Sequence, residues 1–134
     1  MDFVKISIPS KNIYIKLLRN MMKDFCTIIK YKNEDEIFMI ELALNEAIAN
    51  IIEHTYKYEE NKKIDLSIEY DDDVLTIKIR DYGEKIIPEN IKHRDLDNIR
   101  DGGLGVYIIE QVFGKPQWVY CNDGNLMILK KILI

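Results

Sequence analysis

The stretch Ile64-Asp65-Leu66-Ser67-Ile68-Glu69-Tyr70-Asp71-Asp72-Asp73-Val74-Leu75-Thr76-Ile77-Lys78-Ile79-Arg80 alternates apolar and polar residues on both sides of three aspartates. Successive side chains of a strand point to opposite faces. Ile64, Leu66, Ile68, Leu75, Ile77 and Ile79 therefore share one face, and Asp65, Ser67, Glu69, Thr76, Lys78 and Arg80 share the other. The aspartates supply the turn of a hairpin. A sheet covered on both faces carries nearly continuous apolar strands. These strands have one oily and one wet face, so helices cover one side only. The implied fold class is α/β, a two-layer sandwich of a mixed, mostly antiparallel sheet with three helices on one face.

Working outward, Phe3, Ile6 and Ile8 mark a first strand over residues 2–8, ended by Pro9. Ser10 stands where it can cap a helix whose apolar stripe is Ile13, Tyr14, Leu17, Leu18, Met21, Met22 and Phe25. Asn33 followed by Glu34, Asp35 and Glu36 opens a second helix, with acids at the positive end of its dipole; it is expected to run to about Tyr56. Residues 84–102 are mostly polar and lack periodicity, as a functional loop does. Gly103 to Phe113 reads as a third helix ended by Gly114. Gln117–Cys121 and Leu126–Leu133 read as closing strands around the turn Asn122-Asp123-Gly124-Asn125.

The 134 residues fit a single domain over 1–134. A net charge of −4 argues against nucleic acid as a partner, since phosphate neutralisation needs a basic surface. Two cysteines, Cys26 and Cys121, form no metal or redox motif and suit a reducing, cytoplasmic setting. No signal peptide is read at the N-terminus and no apolar run reaches membrane-spanning length, so no membrane partner is expected.

Three motifs carry chemistry. On the second helix, about 100° per residue places Glu46, Asn50 and Glu53 in one sector with His54 beside it; Ile37, Ile40, Leu44, Ile48, Ile51 and Thr55 fall on the opposite side. By itself this suits a solvated helix face as well as a site. Next comes Arg80-Asp81-Tyr82-Gly83-Glu84-Lys85 at the end of a strand, where Asp-x-Gly alone is an ordinary turn. The third is Asp101-Gly102-Gly103-Leu104-Gly105-Val106, in which glycines open a helix whose free N–H groups can hold phosphate. It is neither a P-loop nor a dinucleotide fingerprint.

In this order the three resemble the N-box, the adenine box and the glycine box of the GHKL, or Bergerat, ATPase superfamily of gyrases and histidine kinases. Over nearly the whole chain the sequence resembles the anti-sigma factor serine/threonine kinases of the sporulation and general-stress type. The resemblance rests on Asn45-Glu46-Ala47-Ile48-Ala49-Asn50, on His54-Thr55-Tyr56, on Ile86-Ile87-Pro88-Glu89 and on Gly103-Leu104-Gly105-Val106-Tyr107-Ile108-Ile109. One departure is Lys85, which stands where the superfamily often has a second adenine-box glycine.

The resemblance implies ATP and Mg²⁺ as cofactors and Glu46 as the catalytic base. It implies Asn50 as the metal ligand and Asp81 as the acceptor for the adenine amino group. His54, Gly83, Lys85, Ile86, Arg100, Gly102, Gly103, Leu104, Gly105 and Val106 complete the implied nucleotide site. His93 and Arg94 are further loop cations within reach of a γ-phosphate. The implied partners are a sigma factor and an anti-anti-sigma STAS-domain protein carrying the acceptor hydroxyl, with the kinase as a homodimer. The exposed strand Phe3–Ile8 offers a pairing edge for such a dimer, and the rival reading is a monomer in which it is simply the edge of the sheet. A nucleotide-switched binding module without catalysis, or the ATPase domain of a histidine kinase, are the other readings the motifs allow.

Overall fold

The computed structural model describes residues 1–84 and 104–134. The chain runs β1 (Asp2–Pro9), a 3-10 turn (Asn12–Tyr14), α1 (Ile15–Ile28), α2 (Glu34–Asn50) continued by a π-helical turn (Ile51–Thr55), β2 (Lys63–Asp71), β3 (Val74–Asp81), α3 (Leu104–Phe113), β4 (Gln117–Cys121) and β5 (Gly124–Ile132). The sheet order is β1-β2-β3-β5-β4, and every ladder is antiparallel. The expected mixed sheet is thus wholly antiparallel among the described residues. The cause is the last hairpin: β4 runs parallel to β3, but β5 lies between them and pairs with both.

The alternation in the central hairpin sets the layers. Ile64, Leu66, Ile68, Leu75, Ile77 and Ile79 are all buried, joined on the same face by Met127 and Leu129 of β5. Each such side chain contributes roughly 1.5–3 kcal/mol by leaving water. Asp71 pairs with Val74, so the turn is Asp72-Asp73, both with positive φ (48° and 65°), a short-turn geometry that aspartate tolerates.

Asn33 caps α2 as expected: its side chain accepts from the Glu36 N–H at 3.1 Å, with Glu34, Asp35 and Glu36 in the first turn. α2 packs between α1 and α3. Its buried row is Ile40, Ala43, Leu44, Ala47 and Ile48, with Ile51 and Ile52 in the π-turn. The stripe read on the first helix is narrower than expected. Leu18, Met22, Phe25 and Cys26 are buried, whereas Leu17 within α1 is 49% exposed and Ile13, in the 3-10 turn before α1 begins, is 79% exposed.

Two polar ties close the layers. Lys131 on β5 reaches the Glu36 carboxylate at 2.7 Å and donates to the Val112 carbonyl at 3.4 Å, joining the start of α2, the end of α3 and the sheet. The Lys131 ammonium, then the Tyr31 hydroxyl, hold Glu36 below its ordinary value. Ser10, expected to cap a helix, does something else: the 3-10 turn has no side-chain cap. Ser10 is fully buried, and its hydroxyl donates to the Glu59 carbonyl at 2.5 Å and accepts from the Lys62 N–H at 3.2 Å. The loop after α2 claims it, through residues about 50 positions away in sequence. Ser10→Ala removes both bonds and leaves buried backbone groups short of partners, so it should cost about 1–3 kcal/mol. The measurement is the urea midpoint, which falls with an unchanged slope; an unchanged midpoint would contradict this role.

Candidate functional site

The inward row of β3 runs Leu75, Ile77, Ile79 and then Asp81, so the core face ends in a carboxylate that is 1% exposed. An isolated buried charge is costly, and this one is hydrogen-bonded. Its Oδ1 accepts from the Asn125 side-chain amide and from the Gly83 N–H, each at 3.0 Å. Oδ1 is thus committed to the protein. Burial raises the Asp81 pKa, opposed by the Asn125 amide and the Gly83 N–H.

The wet face braces the same strand end. Arg80 donates to the Asp81 carbonyl and to Asp123, and its guanidinium lies 4.3 Å from the centre of the Tyr82 ring. The Tyr82 hydroxyl donates to Asp65. Gly124, at φ 151°, passes so close that a Cβ there would collide with the Asp81 carbonyl and come within 2.7 Å of Tyr82 Cα.

The end of α2 meets this strand end. After Asn50 the helix widens to a π-turn, closed by the Tyr56 N–H on the Ile51 carbonyl at 2.9 Å. Tyr56 is 3% exposed; its hydroxyl donates to the Lys63 carbonyl at 2.6 Å and accepts from the Tyr82 N–H at 2.7 Å. Thr55, expected on the apolar side, instead puts its methyl against Gly83, where a Cβ would strike it. The 100° projection holds through Asn50, and the π-turn re-aims the side chains beyond it. His54 lies 3.8 Å from Glu53, and no described contact joins it to the other motif residues.

The first and third motifs also meet. Gly105 is buried, and a Cβ placed on it would lie 2.6 Å from Glu46 Oε2. The start of α3 is therefore seated on the Glu46 carboxylate. Asn50, one turn further along α2, is half-buried, and its side chain has no hydrogen-bond partner among the described residues. Of its neighbours in the glycine box, Leu104 is 62% exposed and Val106 is partly buried. Lys85, Ile86, His93, Arg94, Arg100, Gly102 and Gly103 lie outside the described residues.

Asn125 and Gly124 carry no motif that marks them in the sequence as site residues, and Tyr56, part of His54-Thr55-Tyr56, has no role implied there. Asn125 is fully buried, donating also to the Glu84 carbonyl at 2.7 Å. A signal exists: counting inward positions back from Leu129 and Met127 reaches Asn125. Its place beside Gly124 suggests a turn instead, but the structure shortens that turn, since Cys121 already pairs with Gly124.

These residues fit an adenine nucleotide. A buried carboxylate stands at one end; at the other stand a helix start and an amide whose side chain has no hydrogen-bond partner among the described residues. A single neutral oxygen from Asn50 suits Mg²⁺, which keeps waters and phosphate oxygens as its other ligands. No group of three or more His, Cys, Asp or Glu able to hold a metal occurs among the described residues.

Comparisons with known proteins speak to the family and the fold. The sequence model of the family described as "Histidine kinase-like ATPase domain" matches residues 8–131. The chain is 25% identical to the serine-protein kinase RsbW of Bacillus subtilis (strain 168) over 98% of its own length and 86% of that protein. It is 26% identical to serine-protein kinase RsbW of Staphylococcus aureus (strain MRSA252), over 98% and 87%. A crystal structure of the RsbU and RsbW domains of a Mycobacterium tuberculosis protein superposes with a TM-score of 0.71 at 15% identity, covering 99% of this chain and 32% of that one. The catalytic domain of histidine kinase ThkA superposes with a TM-score of 0.57 at 22% identity, covering 99% and 97%. Those two likenesses speak to the fold.

Asp81 gives two readouts of opposite sign. Mg·ATP should raise the melting temperature well above the shift from Mg·GTP, and Asp81→Asn should shrink the ATP shift. In the empty protein the raised pKa means that stability from the neutral carboxyl is full below the ordinary value of 3.8 and is lost as pH rises through the elevated one. Empty Asp81→Asn should therefore melt at or above the unsubstituted protein at pH 7, with the gap closing on acidification. Equal shifts from ATP and GTP would overturn the assignment of Asp81 to adenine.

Proposed function

Because the chain belongs to the histidine kinase-like ATPase domain family, we propose that it is an ATP-dependent serine/threonine protein kinase of the anti-sigma factor type. In this reading it binds a sigma factor and phosphorylates an anti-anti-sigma STAS-domain protein. The observation that carries the catalytic part is the seating of Gly105 on Glu46. It puts a carboxylate beside the helix start whose N–H groups suit phosphate, where a general base is of use. Near full-length likeness to serine-protein kinases supports the choice of a hydroxyl acceptor.

The roles then derive from positions. Asp81 accepts from the adenine amino group, and Gly83 lets the base lie against backbone. The amide oxygen of Asn50 holds Mg²⁺, which neutralises charge on the phosphates when bound. The Glu46 carboxylate takes the proton of the acceptor hydroxyl as its oxygen bonds to the γ-phosphorus and the bond from that phosphorus to the bridging oxygen breaks. ADP leaves, and the proton rests on Glu46. Positioning and charge, rather than covalent chemistry, carry such a transfer. Among the described residues no helix is long and apolar enough to cross a membrane. Among the described residues β1 is an edge strand, paired only with β2, which supports pairing between two copies along it.

Incubation with labelled ATP and candidate STAS-domain proteins, followed by mapping of phosphoserine, tests the reading. Glu46→Gln keeps shape and should retain Mg·ATP binding while losing transfer by about 10²-fold or more. Normal transfer by Glu46→Gln would place the base elsewhere. Asn50→Ala should weaken Mg·ATP binding itself. Light scattering that reports a monomer with and without ATP would remove the dimer.

A further inference from the structure

The π-turn sits between the two halves of the site. Before it, α2 carries Glu46 and Asn50; immediately after it, the chain touches the adenine box twice. The Thr55 methyl abuts Gly83 so closely that no side chain fits there. A Cβ on Gly83 would otherwise stand at the ordinary distance of 3.5 Å from both Asp81 Oδ1 and Tyr56 Cε1, so that methyl is the one obstacle among the described residues. The Tyr56 hydroxyl then accepts from the N–H of Tyr82, the residue between Asp81 and Gly83. It also donates to Lys63 at the start of β2, so one buried oxygen fixes two strand ends to the helix. Neither contact involves the residues beside the phosphates.

We propose that Thr55 and Tyr56 are positioning residues for base selection: the π-turn is a strut that sets the adenine box relative to Asn50, through a methyl on Gly83 and a hydroxyl on the Tyr82 N–H. The inference rests on the adenine-nucleotide reading of the site and gives two further residues a role in base choice. A side chain that merely supports the fold, when altered, weakens every ligand alike. The strut acts on the base end only. A loosened box must be re-formed on binding, and the lost contact reappears in affinity for the base.

The test measures dissociation constants of Mg·ATP, Mg·GTP and magnesium tripolyphosphate for the full chain and for Thr55→Val, Thr55→Ser and Tyr56→Phe. Melting temperatures without ligand are recorded alongside. Thr55→Val keeps a branched side chain on Gly83 and should keep the preference for ATP over GTP. Thr55→Ser deletes the methyl and should lower that preference about fourfold. Tyr56→Phe leaves the Tyr82 N–H without its partner and should lower it about tenfold. Affinities for GTP and tripolyphosphate should not change. An unaltered ATP preference in Thr55→Ser and Tyr56→Phe would overturn the strut, as would equal weakening of all three ligands. An unsubstituted protein that does not prefer ATP would instead remove the adenine reading, and the strut with it.

Discussion

A five-stranded antiparallel sheet with one apolar face can be closed only from that side, and this constraint governs the rest of the molecule. Three helices must share a single layer, and α2, flanked by α1 and α3, takes the middle. A helix so placed buries a row rich in alanine and isoleucine, Ala43, Ala47, Ile40 and Ile48, and keeps a polar strip free along one side. Glu46 and Asn50 belong to that strip. The wet face of the sheet carries no helix among the described residues, yet it is not idle: Arg80, Tyr82 and Asp65 brace from behind the strand end that presents Asp81 to the core face.

The site forms where this layering runs out. Asp81 continues the inward register of β3 one step past the last isoleucine, so a position that would hold an apolar side chain holds a carboxylate. Desolvation works against its charge, and the Asn125 amide and the Gly83 N–H offset part of that cost. Close approach replaces side chains elsewhere, with Gly105 on Glu46, Gly83 on Thr55 and Gly124 on Asp81. Each glycine removes a barrier between two elements that different motifs occupy. The meeting of these elements thus depends as much on missing side chains as on present ones.

Much of this is legible in the residues. The alternation of Ile64 to Arg80 determines the one-sided sheet, and Asn33 with its acids determines the start of α2. The spacing of Glu46, Asn50, Asp81, Gly83 and Gly105 marks elements that the structure does bring together in part, as Gly105 on Glu46 shows. The features that are not legible depend on partners distant in sequence. Ser10 reads as a cap because serine before an apolar stripe usually is one, but a loop beyond α2 supplies it with better partners. The π-turn has no residue signature, since it is a shift in hydrogen bonding, and a uniform helical projection accordingly puts Thr55 on the wrong side. Asn125 is hidden by a turn that reads two residues longer than it is.

The hydrogen bond from Asn125 to Asp81 has a consequence for the order of assembly. The two residues stand 44 positions apart, and Asn125 lies close to the end of the chain. β1, made first, likewise has its pairing partner in β2, beyond the whole of α1 and α2. During synthesis the early strand and the first two helices wait for residues far downstream, and loop closure must precede the contacts that reward it. Until β5 arrives, the Asp81 carboxylate lacks the amide that offsets its burial, so that corner of the core stays hydrated. The bond that offsets the burial of Asp81 and the ladder that closes the sheet on β3 therefore arrive with the same strand.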